Sequence, residues 1–179
     1  MAAKRMARVA VSVTTLDRDL ARRLEPRAPT PSRRLAAIRA LAEAGIPTAV
    51  MTAPMIPGLN DQELESILEA AREHGATEAG YTVLRLPLEI KQLFLEWLDE
   101  HAPLKKERVL SLIRGMREGK LNNAEFGRRM VGAGPYAELI QKRFTLAVKR
   151  LGMDKRQWQF DLTQFKPPPR AGDQLALQI

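Results

Sequence analysis

Cysteine is absent from this chain of 179 residues, and histidine occurs only twice. The lack of thiols excludes disulfides, zinc ribbons, a cysteine nucleophile and a thiolate-held iron–sulfur cluster within these residues. Two histidines are too few for a histidine metal site. His74 and His101 each fall near the end of a predicted helix, where we expect a surface role.

Long apolar runs are also missing. No run approaches the ~20 residues that cross a bilayer. Residues 9–13 are too short an apolar region for a secretory signal, and no cleavage site follows them. We therefore expect a cytoplasmic protein that does not enter a membrane. A hydrophobic content of 45% is typical of a globular protein, and a chain of this length can bury a sizeable core as one domain.

Acidic residues are outnumbered by basic ones. The chain has 29 Lys and Arg against 21 Asp and Glu, which leaves a net charge of +8. The excess is concentrated in residues 4–39, 105–129 and 142–156. A basic surface suggests polyanionic partners, nucleic acid first. The alternative is the ordinary solvated surface of a protein from an arginine-rich genome, and no zinc finger, basic zipper or RNA-binding aromatic signature decides between the two.

The segment IPTAVMTAPMIPGLND, residues 46–61, is the centre of the predicted fold. Its apolar run stops at Pro54, turns, and begins a helix at Asn60, where Glu63 three positions later predicts a capping box. Apolar strand, turn and capped helix form the repeating unit of parallel α/β folds. Loops after the carboxyl ends of such strands bind ligands, so residues 54–61 are the predicted wall of a site.

Two similar strands flank this segment. Residues 9–15, VAVSVTT, alternate at period two, so the valines should face covering helices while Ser12 and Thr14 point into the mouth of a barrel. Their hydroxyls could hold a polar ligand, or they could be small space-fillers. Residues 79–86 form the third strand, and Arg85 near its end requires an anionic partner or substrate if it is buried. The alternative is that Arg85 turns to solvent.

After Pro87 the apolar period becomes helical. The basic, glycine-rich segment at residues 120–135 contains Arg128 and Arg129, and its glycines could bring backbone amides near a phosphate. It lacks the G-K-[ST] of a Walker loop, so a plain connection is the alternative. A long last helix follows, whose outer face is predicted to carry the basic residues Arg143, Lys149 and Arg150.

The end of the chain is predicted to be extended. Four apolar residues should pack across the domain as a strap: Trp158, Phe160, Leu162 and Phe165. The tail GDQLALQI resembles the bacterial sliding-clamp binding peptide. Three of its residues match that pattern, Gln174, Leu175 and Leu177, whereas Gln178 stands where an aromatic residue is expected.

The order strand, helix, strand, helix, strand predicts an α/β fold, a partial (β/α) barrel of about three parallel strands at residues 1–87. A helical region follows at 88–152, and a strap and tail at 153–179. Three strands cannot close a barrel, and an open sheet leaves an edge bare. The missing cover could come from an N-terminal segment, a partner chain or the C-terminal helices.

Seven strings, in order and spacing, extend this pattern: VSVTTLD (residues 11–17), RRLEPRAP (22–29), AGIP (44–47), APMIPGLND (53–61), GYTVLRLP (80–87), FGRRMVGAGPYA (126–137) and GDQLAL (172–177). They closely resemble the C-terminal half of a family of radical S-adenosylmethionine (SAM) proteins related to the spore photoproduct lyase group, which repairs DNA photolesions. The resemblance implies the last three strands of a (β/α)6 barrel.

The resemblance also implies cofactors for the intact protein. The superfamily holds a [4Fe–4S] cluster on a C-x-x-x-C-x-x-C loop after the first strand, and the cluster cleaves SAM to a 5′-deoxyadenosyl radical. This chain has no cysteine. We therefore expect an N-terminally truncated form, whether a fragment, a misplaced start codon or a degenerate half-gene, that is inactive by itself.

By position, the resemblance assigns SAM contacts to Ser12, Thr14, Arg27, Pro54, Ile56 and Asn60. It assigns substrate contacts to Arg85, Arg128 and Arg129. Two other functions stay open. The chain could be a basic module that binds nucleic acid and a sliding clamp without catalysis, or it could be a non-functional remnant.

Overall fold

The computed structural model describes residues 2–4, 6–154, 159–165 and 168. The described part contains three strands and six α-helices. In chain order they are β1 (Val9–Ser12), α1 (Arg18–Leu24), α2 (Pro31–Glu43), β2 (Thr48–Met55), α3 (Leu64–Glu73), β3 (Glu78–Val83), α4 (Ile90–His101), α5 (Lys106–Gly115) and α6 (Pro135–Arg150). No helix in these ranges is long and apolar enough to cross a bilayer.

The three strands form one parallel sheet in the order β1-β2-β3. Val11 pairs in register with Val50, and the next row joins Ser12, Met51 and Gly80. Because side chains alternate across a strand, these two rows face opposite sides of the sheet. The prediction of three parallel strands in an open α/β sheet, consistent with part of a barrel, is confirmed.

One side of the sheet is covered by helices. Val13 and Val50 are fully buried there, together with Ile38 of α2 and Ile67 of α3. Ile140 of α6 belongs to the same core, because α6 packs against α3 and, through Phe144, against Tyr81 of β3 at 4.7 Å between ring centres. A second core lies beyond the strands, around α1, α4 and α5. It contains Leu20, Ile56, Leu59, Leu86, Phe94, Leu98, Val109, Leu110 and Ile113.

The other side of the sheet has no layer of helices in the described part. We call it the open face; it is formed by Ala10, Ser12, Ala49, Met51, Ala53, Glu78, Gly80 and Thr82. Ser12 is exposed, and the residues of β2 and β3 are half-buried. Most of these side chains are small. The Met51 thioether lies over Gly80, where its sulfur would come 2.7 Å from an added Cβ.

The local boundaries differ from prediction at the strand ends and at the start of α3. β1 ends at Ser12 instead of Thr15, and β3 spans Glu78–Val83 instead of residues 79–86. β2 continues through Pro54, whose peptide bond with Ala53 is cis, and ends at Met55. α3 begins at Leu64 instead of Asn60, after a 3₁₀ turn at Asp61–Glu63. The predicted capping box is wrong, because Asn60 and Glu63 make no side-chain cap bonds and bind the loop after β1 instead.

The C-terminal predictions fall partly outside the described residues. Phe160, Leu162 and Phe165 are described and exposed, with a 3₁₀ turn at Leu162–Gln164. Trp158 and the clamp-like residues Gln174, Leu175 and Leu177 lie outside the described residues.

Candidate site at the carboxyl ends of the strands

The loop after β1 is fixed by two threonines. Thr14 is 3% exposed, and its hydroxyl donates to the Glu25 carboxylate at 2.9 Å and lies 3.2 Å from the carbonyl oxygen of Ala53. The Thr15 hydroxyl donates to Glu63 at 2.6 Å. Thr14 was expected to point into the mouth of a barrel with Ser12. Instead its hydroxyl is buried and bound within the protein, so Thr14 holds the loop in place from the protein interior.

Asn60 joins the loops after β1 and β2. Its side-chain amide donates to the carbonyl oxygens of Thr14 at 2.8 Å and Pro54 at 3.0 Å. Its side-chain oxygen accepts from the backbone N–H of Ile56 at 2.6 Å. Asn60 is fully buried and Ile56 is 1% exposed. Both residues were assigned to SAM contact, but they have almost no accessible surface, so their role is to position this loop. Pro54, which was assigned to the same contact, is half-buried.

Ser12 and Arg27 are the predicted site residues that remain accessible. Both are exposed, Ser12 on the open face and Arg27 in the turn after α1. A residue that sequence reasoning missed, Arg34, holds this region together. Its guanidinium donates to the Ser12 carbonyl oxygen at 2.9 Å and pairs with Glu25 at 2.9 Å. No local sequence signal distinguishes Arg34 from the other arginines of α2.

The three arginines assigned to substrate lie in different environments. Arg128 is exposed and pairs with Glu118 at 2.6 Å and with Glu125 at 3.6 Å, so its charge is largely neutralised. The guanidinium of Arg129 lies 5.4 Å from the ring centre of Phe126. Arg85 is half-buried two residues beyond β3, and its Nε has no partner in the described part of the chain.

Arg117, which the sequence did not single out, lies beside Arg85. It is 1% exposed and donates to the carbonyl oxygens of Leu84 and Arg128, each at 3.0 Å. Burial, and then the charge of Arg85, lower the pKa of Arg117. Like charges at this position are unusual, because a buried guanidinium is normally accompanied by an acid.

The loop after β2 is anchored to α6. Asp61 accepts from the backbone N–H of Gly58 at 2.8 Å and from the Tyr136 hydroxyl at 2.5 Å. Burial, with the Asp61 carboxylate, raises the pKa of Tyr136 to about 12. Arg143 binds both oxygens of Glu65, at 2.8 and 2.5 Å. Its predicted place on the outer face is therefore wrong: Arg143 faces α3 because an acidic partner lies there.

A cavity of about 310 Å³ lies apart from the open face, between α1 and α4. Its lining includes Leu20, Trp97 and His101. The Trp97 ring nitrogen donates to the carbonyl oxygen of Arg23 at 3.0 Å, so this contact ties α4 to α1. Of the predicted site wall at residues 54–61, Leu59 lines this cavity, whereas none of the residues assigned to SAM or substrate contact does.

The residues differ in how they fit the two expected cofactors. The chain has no cysteine, so it offers no thiolate to a [4Fe–4S] cluster, and no chemical step is assigned to a cluster here. The described residues also contain no group of three or more His, Asp or Glu placed to hold a metal ion. The open face carries mostly small side chains and the exposed Ser12 hydroxyl, and this is the surface that the described residues offer to SAM.

The amino-acid sequence of this chain is similar to those of several known proteins. The chain is 38% identical over 110 residues to the uncharacterized proteins Mb2609c of Mycobacterium bovis and MT2655 and Rv2578c of Mycobacterium tuberculosis. The match covers 59% of this chain and 32% of each relative, so the matched part is about a third of their length. No solved structure matches significantly. Residues 1–71, which include β1, α1, α2, β2 and most of α3, match the Radical SAM superfamily.

Proposed function

We propose that this chain forms one wall of a radical SAM barrel, with the open face turned towards bound SAM. The observation that carries this proposal is the match of residues 1–71 to the Radical SAM superfamily. That segment contains β1 and β2, which supply five of the eight open-face residues defined above. Ligands of parallel α/β folds bind at the carboxyl ends of strands, where Ser12 and the loop after β2 meet.

The accessible residues have distinct roles in this proposal. The Ser12 hydroxyl contacts the ribose or the amino-acid part of SAM, and the Arg27 guanidinium pairs with its carboxylate, since a planar fork suits a carboxylate. Pro54 lines the adenine side. The buried residues Thr14, Ile56 and Asn60 do not contact SAM but hold the loops after β1 and β2 in place from the protein interior.

SAM, once bound, supplies the 5′-deoxyadenosyl group for radical chemistry. The cluster that cleaves it requires thiolates, which this chain does not contain. We therefore propose that the cluster is held by other strands that complete the sheet. The edge of β1 supports this, because β1 pairs with β2 alone among the described residues and an open edge favours strand addition. After incubation with iron, sulfide and dithionite, this chain alone should not cleave SAM.

We further propose that the substrate is a nucleic acid and that the reaction resembles that of the photolesion-repair lyases. The net charge of +8 supports an anionic substrate, and Arg85 lacks a protein partner among the described residues. Arg129 is a second candidate contact. Arg128 would have to leave Glu118 and Glu125 before it could bind a substrate.

A titration of the chain with SAM, followed by amide NMR, tests the proposal. We expect a dissociation constant of about 0.1–1 mM, with shifts confined to the open face and the loops after β1 and β2. Ser12→Phe fills the face and should abolish these shifts. Ser66→Phe, a change of the same size at an exposed serine of α3, should leave them unchanged. Shifts located elsewhere, or none at millimolar SAM, would refute it.

The basic charge also favours a second candidate, a nucleic-acid and sliding-clamp binding module without catalysis. Affinity for a DNA duplex should then fall steeply as salt rises, because phosphate contacts release counterions. Clamp association should be lost when Leu175 and Leu177 are changed to Ala. DNA binding that is insensitive to salt, together with no clamp association, would remove this candidate.

A further inference from the structure

Two arginines at the carboxyl end of β3 have no acidic partner among the described residues. Arg117 is 1% exposed, and its two Nη atoms donate to backbone carbonyl oxygens of Leu84 and Arg128. Arg85 directly follows Leu84. The Nε atoms of Arg85 and Arg117 are both buried without a hydrogen-bond partner among the described residues. No carboxylate in the described ranges forms a salt bridge with either side chain.

A purely structural role explains only part of this arrangement. Arg117 joins the segment after β3 to the segment that contains Arg128, and two hydrogen bonds suffice for that. They leave its Nε–H unpaired, and they do not explain why a second guanidinium lies close enough to lower the pKa of the first. An unpaired buried donor and a buried charge without a counter-charge both destabilise a fold.

The surroundings of the pair are held in place by backbone hydrogen bonds. The N–H of Val83, at the end of β3, donates to the carbonyl oxygen of Met130 at 2.7 Å. The N–H of Ala133 donates to the carbonyl oxygen of Met116, the residue before Arg117, at 3.0 Å. The pair is thus enclosed by the end of β3, the end of α5 and the segment at residues 128–133. Arg85 is only half-buried, so part of its side chain reaches solvent.

An oxyanion would supply the two things that this pair lacks, hydrogen-bond acceptors and negative charge. Its oxygens accept hydrogen bonds from Nε–H donors, and its charge offsets that of two guanidinium groups. We propose that Arg85 and Arg117 together bind one oxyanion, a phosphate or a carboxylate. That this group belongs to the substrate rests on the proposed function, whereas oxyanion binding itself requires no SAM.

The pair can be tested directly through the two unpaired Nε–H groups. The chain is titrated with inorganic phosphate, acetate and a thymidine dinucleotide with a single phosphodiester, at constant ionic strength, and arginine Nε–H resonances are followed by NMR. We expect two Nε–H resonances to move in a saturable way with at least one of these probes. The probe that binds most tightly distinguishes a free phosphate, a carboxylate and a nucleic-acid phosphodiester as the source of the group.

Arg85→Gln is the decisive variant, since Arg85 makes no hydrogen bond to the described residues and the fold should tolerate its loss. It should weaken anion binding at least about tenfold, because a charge-assisted hydrogen bond is removed. Arg39→Gln, at an exposed arginine of α2, is the matched control and should bind as the wild type does. Arg117→Met should also abolish binding, but it removes two structural bonds and can unfold the segment.

Two results would overturn the proposal. One is no saturable shift with any of the three probes. The other is a shift that Arg85→Gln and Arg39→Gln weaken equally, which would indicate general screening of a basic surface. SAM binding should be the same in wild type and Arg85→Gln, so a failed SAM titration and a failed anion titration are independent results.

Discussion

The side-chain amide of Asn60 donates a hydrogen bond of 2.8 Å to the backbone carbonyl oxygen of Thr14, 46 residues earlier in the chain. With its bonds to Pro54 and Ile56, Asn60 connects the loop after β1 to the loop after β2 from inside the protein. The relative position of these two loops, and therefore the shape of the candidate SAM wall, depends on this buried side chain together with the hydroxyls of Thr14 and Thr15, which bind Ala53 and Glu63.

Replacing Asn60 by Ala should destabilise the fold by about 2–4 kcal/mol, because three buried backbone groups lose their partner. Urea unfolding measures the change. Gln62→Ala, an exposed neighbour two positions away, should stay within about 0.5 kcal/mol of wild type. Equal stability of the two variants would show that the loops are held by other contacts.

The Arg143–Glu65 pair should account for much of the docking of α6 on α3. Arg143 binds both carboxylate oxygens of Glu65 and also the backbone carbonyl of Asp61, and both side chains are partly shielded from water. We expect Arg143→Met to cost about 1–2 kcal/mol in urea unfolding. Arg150→Met removes the more exposed pair with Glu69 and should cost no more than about 0.5 kcal/mol. The reverse order would contradict this account.

Acid should weaken the same contact. The hydrogen bond from Arg143 lowers the pKa of Glu65 below its ordinary value of 4.5, against the opposing effect of burial. A carboxyl group whose folded pKa is depressed adds stability above its unfolded pKa, and this stability is lost as the pH falls through the folded pKa. Unfolding free energies measured above and below pH 4.5 should therefore decline less in Arg143→Met than in wild type. An identical decline would exclude Glu65 as a source of the acid sensitivity.

The tyrosines of this protein should ionise at a higher pH than free tyrosine does. The chain has two tyrosines, and the pKa of Tyr136 is raised to about 12 by burial and by Asp61, while burial raises that of Tyr81. A group with a raised folded pKa contributes stability that is complete below its unfolded pKa and is lost as the pH rises through the folded pKa. Ultraviolet titration should show little phenolate near the ordinary value of 10.0.

The variant Tyr136→Phe separates the two tyrosines. Its ultraviolet titration should lose the step near pH 12 and keep the contribution of Tyr81. Its stability should also fall less on going to alkaline pH, since no phenol remains beside Asp61. A full two-tyrosine transition near pH 10 in wild type would show that Tyr136 is not held by Asp61 in solution.

Where periodicity and local chemistry carried the information, prediction and structure agree. The alternation of Val9 to Val13 placed Val11 and Val13 on the helix side and Ser12 on the other side, because the side-chain period of a strand is a local property. Pro31 and Gly45 indicated the start of α2 and the turn after it for the same reason.

Long polar side chains were the part that prediction could not place. Glu63 was assigned to a cap three residues away but binds Thr15, 48 residues earlier, and Arg143 was assigned to solvent but binds Glu65, 78 residues earlier. Arg117 had no signal at all, although it is the largest fully buried side chain among the described residues. Such side chains reach several ångströms in any direction, so their partners depend on which segments the fold brings together.

The amino-acid sequence by itself determined that these residues contain no thiolate for a cluster and that three apolar strands alternate with helices, because composition and periodicity are properties of neighbouring residues. Only the tertiary structure decided that Ser12 is exposed while Thr14 and Asn60 are buried, and that Arg85 and Arg117 lie together with no acidic partner in the described part of the chain. These relationships arise from hydrogen bonds and burial between segments far apart in the chain, and no local pattern encodes them.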